Sequence, residues 1–220
     1  PSGSPFKGRL DVLPSGRNLY SNDPSSIPSK AAYEQGSKLA SEFLKRHLQD
    51  KGDHARTLLI DLWGSATMRT AGEEFSMALC LMGVSPTWVD GSDKVSGIEV
   101  ITIPELNRPR VDVTLRISGL FRDIFPSLTQ LYDQVTNILS KRYEYPEDNP
   151  FVNNTDIARI YGPKSGNYGL RMSSNIKEYT EDNRENYGED WIESSAWPIV
   201  GNKSTYTVSY THLRAHETID

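Results

Sequence analysis

TLLIDLW, at residues 57–63, has the length and apolar composition of a buried β-strand. VDVTLRIS, at residues 111–118, alternates apolar and polar side chains, which predicts a second strand with one polar face. Apolar residues recur at helical spacing between these two strands and again after the second one. This strand–helix–strand order predicts an α/β fold in which helices cover a mainly parallel sheet.

Further elements extend this pattern. Helices are predicted over 29–52, over 70–83, which a Thr/Glu capping box opens, and from Pro126 onward. Residues 86–90 and 98–103 are predicted to form two more strands. The predicted architecture is a layered, Rossmann/flavodoxin-like α/β fold with helices flanking a mainly parallel sheet, followed by an irregular C-terminal segment.

Composition divides the chain into four predicted regions. Residues 1–28, rich in Pro and Gly, form an extended lead-in, and residues 29–142 form the α/β domain. Residues 143–207 form an irregular or incomplete subdomain, because Pro, Asn, Asp and Gly interrupt the apolar pattern there. Residues 208–220 form a tail, within which 208–218 resemble a translated sequencing adapter. We therefore expect this tail to be artefactual, and we assign its two histidines no role.

The overall charge narrows the classes of function. The 220 residues contain 24 Lys+Arg and 29 Asp+Glu, a net charge of −5, which argues against a nucleic-acid surface. A single cysteine excludes an internal disulfide and a multi-cysteine metal site. The sequence contains no apolar run near the ~20 residues of a membrane helix, and its start lacks a signal-peptide pattern. We therefore expect a cytoplasmic protein with no membrane span.

Two predicted strand ends carry the same kind of residues. Each strand is followed by small residues and then by an arginine near the start of a predicted helix. Glycines let a ligand approach the backbone, helix N-termini favour anions, and arginine binds carboxylate or phosphate. Because ligands bind at the carboxyl ends of strands in such sheets, we predict a site for an anionic small molecule there. Its candidate residues are Trp63, Gly64, Ser65, Arg69, Arg116, Ser118, Gly119, Arg122 and Asp123.

Each of these residues also has a purely structural interpretation. The two glycines are equally typical of tight strand-to-helix turns. Arg69 and Arg122 could instead form surface ion pairs, with Glu73 and Asp123 respectively. Arg116, within a strand, needs a partner if it is buried. No phosphate-binding loop or dinucleotide fingerprint is present, and no pattern predicts a metal site. We expect Trp191 and Trp197 either to pack the acidic segment over 181–193 against the domain or to line a cleft.

Eight short motifs occur along the chain: GRNLY at 16–20, WGS at 63–65, MRTAG at 68–72, LNRPRVDV at 106–113, SGLFRD at 118–123, EDN at 147–149, RIYG at 159–162 and GNYG at 166–169. In order and spacing, these motifs resemble the CobN / magnesium-chelatase family of large tetrapyrrole metal-chelatase subunits. The resemblance covers roughly residues 8–205, and the residues at 68–70 and 114–119 are similar to those of the cobalt branch.

The resemblance implies a segment of a larger subunit that binds a tetrapyrrole and a metal ion. The implied partners are an AAA+ ATPase, which hydrolyses the ATP, and a second smaller chelatase subunit. The implied reaction is ATP-dependent insertion of Co²⁺ into the corrinoid hydrogenobyrinic acid a,c-diamide, in cobalamin biosynthesis. The resemblance also adds Arg17 and Asn18 to the candidate substrate-binding residues. The catalytic proton acceptor and the metal ligands are expected outside this segment.

Three alternatives remain open at this point. The first is the magnesium branch of the same family, with Mg²⁺ and protoporphyrin IX as substrates. The second is a non-catalytic α/β module that binds a small anion. The third is a scaffold segment whose arginines hold contacts between subunits.

Overall fold

The computed structural model describes residues 23–152, 154, 157–168, 190–192, 194–200 and 203–204. Helices and strands alternate along most of this part of the chain, as the sequence predicts. A single 3₁₀ turn at Pro24–Ser26 comes first. The helices are α1 (Lys30–Lys51), α2 (Gly64–Thr70), α3 (Glu73–Met82), α4 (Ile103–Leu106), α5 (Gly119–Ile124) and α6 (Pro126–Ser140). The strands are β1 (Thr57–Leu62), β2 (Val84–Trp88), β3 (Val95–Val100), β4 (Asp112–Ile117), β5 (Ile160–Gly162), β6 (Trp197–Val200) and β7 (Lys203–Ser204).

The main sheet has five strands in the order β1-β4-β5-β6-β7. The pairs β1–β4 and β4–β5 are parallel, and the last two pairs are antiparallel. The prediction of a mainly parallel sheet flanked by helices is therefore confirmed. The strands predicted over 86–90 and 98–103 occur as β2 and β3, but they pair with each other in a separate antiparallel sheet. Strands β5, β6 and β7 lie within 143–207 and join the main sheet, and the division of the chain at residue 142 stays a prediction.

Local capping explains where the helices begin and end. Helix α1 begins after Ser29, whose Oγ accepts a hydrogen bond from the backbone N–H of Ala32, and it ends at Gly52 in the left-handed region (φ 76°). The predicted helix over 70–83 is wrong at its start, because Thr70 ends α2 and Gly72 precedes α3 with φ 93°. The Oγ1 of Thr70 still accepts from the N–H of Glu73 at 3.3 Å. The Thr/Glu pair thus spans a junction between two helices.

One face of the main sheet packs against α3 and α6. The alternate residues Val113, Leu115 and Ile117 of β4 point into this core and are fully buried or nearly so. The rings of Phe75 (α3) and Tyr132 (α6) lie 6.3 Å apart, so the two helices cover the same face. Each such apolar side chain contributes roughly 1.5–3 kcal/mol when fully buried, so this layer holds the helices on the sheet.

The opposite face of β4 was predicted to be polar, and it is polar but buried. Asp112, Thr114 and Arg116 are at most 7% exposed, because β4 lies between β1 and β5 and chain from beyond residue 150 covers this face. Asp112 pairs with the buried Arg159 through two hydrogen bonds of 2.6 and 3.2 Å. A polar strand face inside a sheet is tolerable only with such partners.

Candidate functional site

Arg116 lies at the centre of the predicted site and is almost completely buried. Its guanidinium carbon is 5.1 Å from the ring centroid of Trp63 and 5.5 Å from that of Trp191. Its Nη1 donates to Oδ1 of Asp61 at 2.8 Å, and its Nε donates to Oγ of Ser195 at 3.1 Å. Two aromatic rings and two hydrogen-bond acceptors of the protein therefore contact this guanidinium.

Asp61 connects the buried arginine to the exposed end of the site. Parallel register places Asp61 beside Arg116, so the two side chains lie on the same face of the sheet. Its second oxygen, Oδ2, accepts from Nε1 of Trp63 at 3.0 Å. The carboxylate, 37% exposed, therefore holds both the arginine and the indole.

Ser118 ties the two strand ends together. Its Oγ accepts from the N–H of Phe121, which caps α5, and from the N–H of Gly64, which begins α2. A Cβ on Gly64 would lie 2.7 Å from the nitrogen of Phe121, closer than side chains tolerate. Glycine is therefore required at residue 64 by the close approach of two helix N-termini, a packing reason that differs from the tight strand-to-helix turn considered for it.

Arg122 holds a loop against α5. Its Nη1 donates to the carbonyls of Pro163 and Lys164, and its Nε donates to Oδ1 of Asp123 at 2.8 Å. The hydroxyl of Tyr168 donates to the other oxygen of Asp123. The hydrogen bond from Arg122 lowers the pKa of Asp123, and the bond to that carboxylate raises the pKa of Tyr168. Arg122 thus forms the ion pair with Asp123 that was considered as its structural interpretation.

Gly119 is packed beneath the same loop. A Cβ there would lie 2.6 Å from the carbonyl oxygen of Asn167. The loop over 163–168 therefore covers the start of α5 at close range, and any larger residue at 119 would push it away.

Arg69 is the exception among the predicted arginines. It is exposed, and among the described residues it forms no ion pair or hydrogen bond, so the considered pairing with Glu73 is absent. It lies four residues after Ser65, which is also exposed, so the two side chains share one face of α2. The arginine was predicted near a helix start and instead lies in the last turn of α2, because the strand end continues directly into this helix.

The structure therefore brings together most of the predicted site. The two strand ends meet at Ser118. Around this junction lie three of the predicted side chains, those of Trp63, Arg116 and Arg122. Arg17 and Asn18 lie outside the described residues. The sequence analysis missed Asp61, Ser195 and the role of Trp191. The polar Asp61 within an otherwise apolar strand was the available signal, whereas residues 191 and 195 carry no local pattern that places them here.

The motif LNRPRVDV is structural in this fold. Arg108 donates to the carbonyls of Cys80 and Leu81, and Arg110 donates to those of Met82 and Gly83, so both arginines cap the end of α3. The last turn of a helix leaves carbonyls without partners, and cations there are favourable. This motif therefore fixes α3 against β4.

Two further observations concern metal and membrane. Within the described residues, no three His, Cys, Asp or Glu side chains come close enough to hold a metal ion. Among the helices of this part of the chain, none is both long and apolar enough to cross a membrane.

The fold is that of a layered α/β protein with aromatic and basic side chains gathered at the carboxyl ends of its parallel strands, the edge at which such sheets bind ligands. The CobN/Magnesium Chelatase family matches residues 1–204. The chain therefore belongs to the CobN/magnesium chelatase family, as the motifs predicted.

Named relatives agree with this membership. The chain is 39% identical over 212 residues to aerobic cobaltochelatase subunit CobN of Pseudomonas aeruginosa, an alignment that covers 87% of this chain and 17% of the relative. It is 32% identical over 178 residues to magnesium-chelatase subunit ChlH of Oryza sativa, covering 80% of this chain and 13% of the relative. The solved catalytic subunit of cobaltochelatase from Mycobacterium tuberculosis superposes with a TM-score of 0.81 at 32% identity. That superposition covers 97% of this chain and 19% of the solved one, so the chain spans less than a fifth of the length of these relatives.

Proposed function

We propose that this chain is a segment of the large, tetrapyrrole-binding subunit of an ATP-dependent cobaltochelatase. The reaction is insertion of Co²⁺, a substrate, into hydrogenobyrinic acid a,c-diamide during cobalamin biosynthesis, and it forms nitrogen–metal bonds. An AAA+ ATPase subunit hydrolyses the ATP and a second smaller subunit completes the enzyme, which acts in the cytoplasm. Family membership and the geometry of the strand ends support this proposal.

The observation that carries the proposal is that Trp63, which precedes α2, and Arg69, in its last turn, are both exposed. A corrinoid substrate combines a broad conjugated ring with peripheral carboxylates. An indole suits the ring, and a guanidinium without a partner in the described chain suits a carboxylate. Arg116 and Arg122 instead contact the protein, so in this proposal they shape the surface while Arg69 binds the substrate.

The identities to relatives favour cobalt over magnesium. The chain is 39% identical to the Pseudomonas aeruginosa CobN subunit and 32% identical to the Oryza sativa ChlH subunit of magnesium chelatase. The magnesium alternative has a different ring, protoporphyrin IX, and a different ion. In it too, one subunit binds the ring and another hydrolyses ATP. A non-catalytic module for a small anion is less well supported, because an exposed indole, that of Trp63, precedes the helix that carries Arg69.

The direct test reconstitutes the complete large subunit with its AAA+ partner and the second subunit. With ATP, Co²⁺ and hydrogenobyrinic acid a,c-diamide, we expect the absorbance spectrum to change to that of the cobalt corrinoid. Omitting ATP should abolish the change. Insertion of Mg²⁺ into protoporphyrin IX under the same conditions would instead select the magnesium alternative, and binding of neither ring would overturn the proposal.

The role of Arg69 is tested by Arg69→Ala in the same complete subunit. Loss of an exposed charge pair costs about 1 kcal/mol, so we expect the corrinoid to bind roughly fivefold more weakly. The effect should shrink at high salt, because exposed charges are screened. Arg46→Ala is the matched control, since Arg46 is an exposed arginine on α1. Equal effects of the two substitutions would contradict the assignment.

A further inference from the structure

Trp63 is both exposed and held in place, a combination that is unusual for a tryptophan. Its side chain is 41% exposed, and it immediately precedes α2 at the end of β1. The Nε1–H is bound by Asp61, and one side of the ring lies against Arg116. An exposed aromatic without a ligand normally has several rotamers open to it, and ordering it costs free energy when a ligand binds. Here contacts within the protein already order the indole before any ligand binds.

The contacts behind Trp63 continue into the buried part of the sheet. Arg116 in turn lies against the ring of Trp191 and donates a hydrogen bond to Ser195, which is fully buried. The indole is therefore supported by β4 and by the segment around residue 195, as well as by its own strand. A side chain supported from three segments is preorganised for binding.

A second apolar residue lies next to the indole. Leu120 is 39% exposed, and its Cγ would lie 2.9 Å from a Cβ built on Gly64, the residue that follows Trp63. The two side chains therefore extend one apolar area across the starts of α2 and α5, here called the Trp63–Leu120 surface. Ser65 and Arg69 are exposed on α2, the helix that Trp63 precedes.

We propose that the Trp63–Leu120 surface binds the flat face of the tetrapyrrole ring, with Trp63 stacked on the ring and Asp61 acting as the positioning residue that orients the indole. This inference rests on the proposed function and names the residues that contact the ring. A conjugated macrocycle suits the surface because an indole face and an aliphatic side chain favour a planar apolar partner. Arg69, exposed in the last turn of the helix that follows Trp63, suits a carboxylate at the edge of such a ring.

The first experiment measures macrocycle binding to the complete subunit. Hydrogenobyrinic acid a,c-diamide and protoporphyrin IX are the two probes, and the absorbance shift of each ring reports its dissociation constant. For Trp63→Ala we expect binding to weaken about 10- to 100-fold, since stacking and the burial of exposed indole area are both lost. For Trp63→Phe, which keeps a ring, we expect a loss of about threefold. Leu48→Ala is the matched control, because Leu48 is an apolar side chain on α1 with 44% exposure.

The outcomes separate the inference from the proposed function. If neither ring binds the wild-type subunit, the proposed function fails and this inference fails with it. If a ring binds and Trp63→Ala leaves its affinity unchanged, the function stands and the stacking role is overturned. Weak binding by Trp63→Ala supports the inference when Trp63→Phe and Leu48→Ala retain affinity.

A double-mutant cycle tests the positioning role of Asp61. Asp61→Asn removes the charged acceptor of the indole N–H, and we expect about three- to tenfold weaker ring binding in the wild-type background. In the Trp63→Phe background no such N–H exists, so the same substitution should change affinity by less than about twofold. A merely structural role of Asp61 toward Arg116 would give equal losses in both backgrounds and would overturn the positioning role.

Discussion

Arg110 is a completely buried arginine, and its replacement by methionine should destabilise the junction between α3 and β4. Its Nε and Nη2 donate to the two oxygens of Glu144, both at 2.9 Å. Its remaining donors reach the carbonyls of Met82, Gly83 and Ile101. Methionine has a similar length but no donors, so Arg110→Met leaves a carboxylate and three carbonyls without these bonds.

The magnitude follows from the burial of this pair. Removing one partner of a buried ion pair costs about 3–5 kcal/mol when the other charge is left without compensation. Glu144 keeps its hydrogen bonds from Arg142 and Asn149, so we expect the lower end of this range. Each 1.4 kcal/mol is a factor of ten in an equilibrium constant, so the local opening equilibrium should shift by about a hundredfold.

Hydrogen exchange of backbone amides, followed by mass spectrometry on the complete protein, measures this shift locally. We expect peptides from α3 and β4 to exchange faster by that factor, and peptides remote from the junction to be unchanged. Arg46→Ala is the control, since its i,i+4 pair with Asp50 is exposed and should change exchange by less than about fivefold. The double variant Arg110→Met with Glu144→Leu should recover most of the loss, because both charges are removed together.

Two results would refute this expectation. An acceleration of less than tenfold in Arg110→Met would show that the buried pair contributes little to the junction. A double variant as unstable as the single one would show that the loss of Arg110 as a partner of Glu144 is not the cause.

Three further predictions concern pH, packing and binding. Burial raises the pKa of Glu144, but hydrogen bonds from Arg110 and Arg142 outweigh it and lower the pKa from 4.5 to about 2. Its stabilising contribution should therefore be complete above pH 4.5 and be lost as the pH falls through about 2, and Glu144→Gln should abolish that part of an acid-unfolding curve. Gly64→Ala should cost about 1–3 kcal/mol in denaturant unfolding. Arg116→Lys should raise KM for the corrinoid about threefold with kcat unchanged. The substitution weakens the contact that holds the Trp63 indole in place, which affects ring binding and not the chemical step.

The controls for these three predictions use residues with related environments. For the glycine, Gly97→Ala should cost less, since the nearest atom to its new Cβ is the side-chain Oγ1 of Thr87 at 3.3 Å. For the acid transition, Glu34→Gln on the exposed surface of α1 should leave the curve unchanged. For Arg116, a fall in kcat as large as the rise in KM would indicate a role in the chemical step. It would contradict the expectation that Arg116 acts only on ring binding.

The order of helices and strands was predictable because it depends on short-range patterns. Alternation in β4, the helical spacing of α1 and the caps at Ser29 and Gly52 all act between residues close in the chain. Helix α2 was missed because its seven residues, GSATMRT, carry no apolar periodicity. The packing of α2 against α5 forms this helix, and that contact joins segments more than fifty residues apart.

The site was predictable in location and less so in the roles of its residues. Parallel strands place their carboxyl ends at one edge, so the grouping of Trp63, Arg116 and Ser118 followed from the fold class. Which arginine stays exposed did not follow, because Arg69 and Arg122 have similar neighbours in sequence. Only the carbonyls of the loop over 163–168 distinguish them, by binding Arg122.

The sequence by itself determined the family, the α/β class and the edge of the sheet where polar and aromatic residues gather, since motifs and periodicity are properties of neighbouring residues. The tertiary structure decided which charges are compensated. Arg116 meets Asp61, 55 positions earlier, and Ser195, 79 positions later, while Arg159 reaches Asp112 across 47 positions. Strand register and the return of the chain over the sheet create these pairs. A buried charge is stable only with a partner, so burial and partner are settled together once the chain has folded.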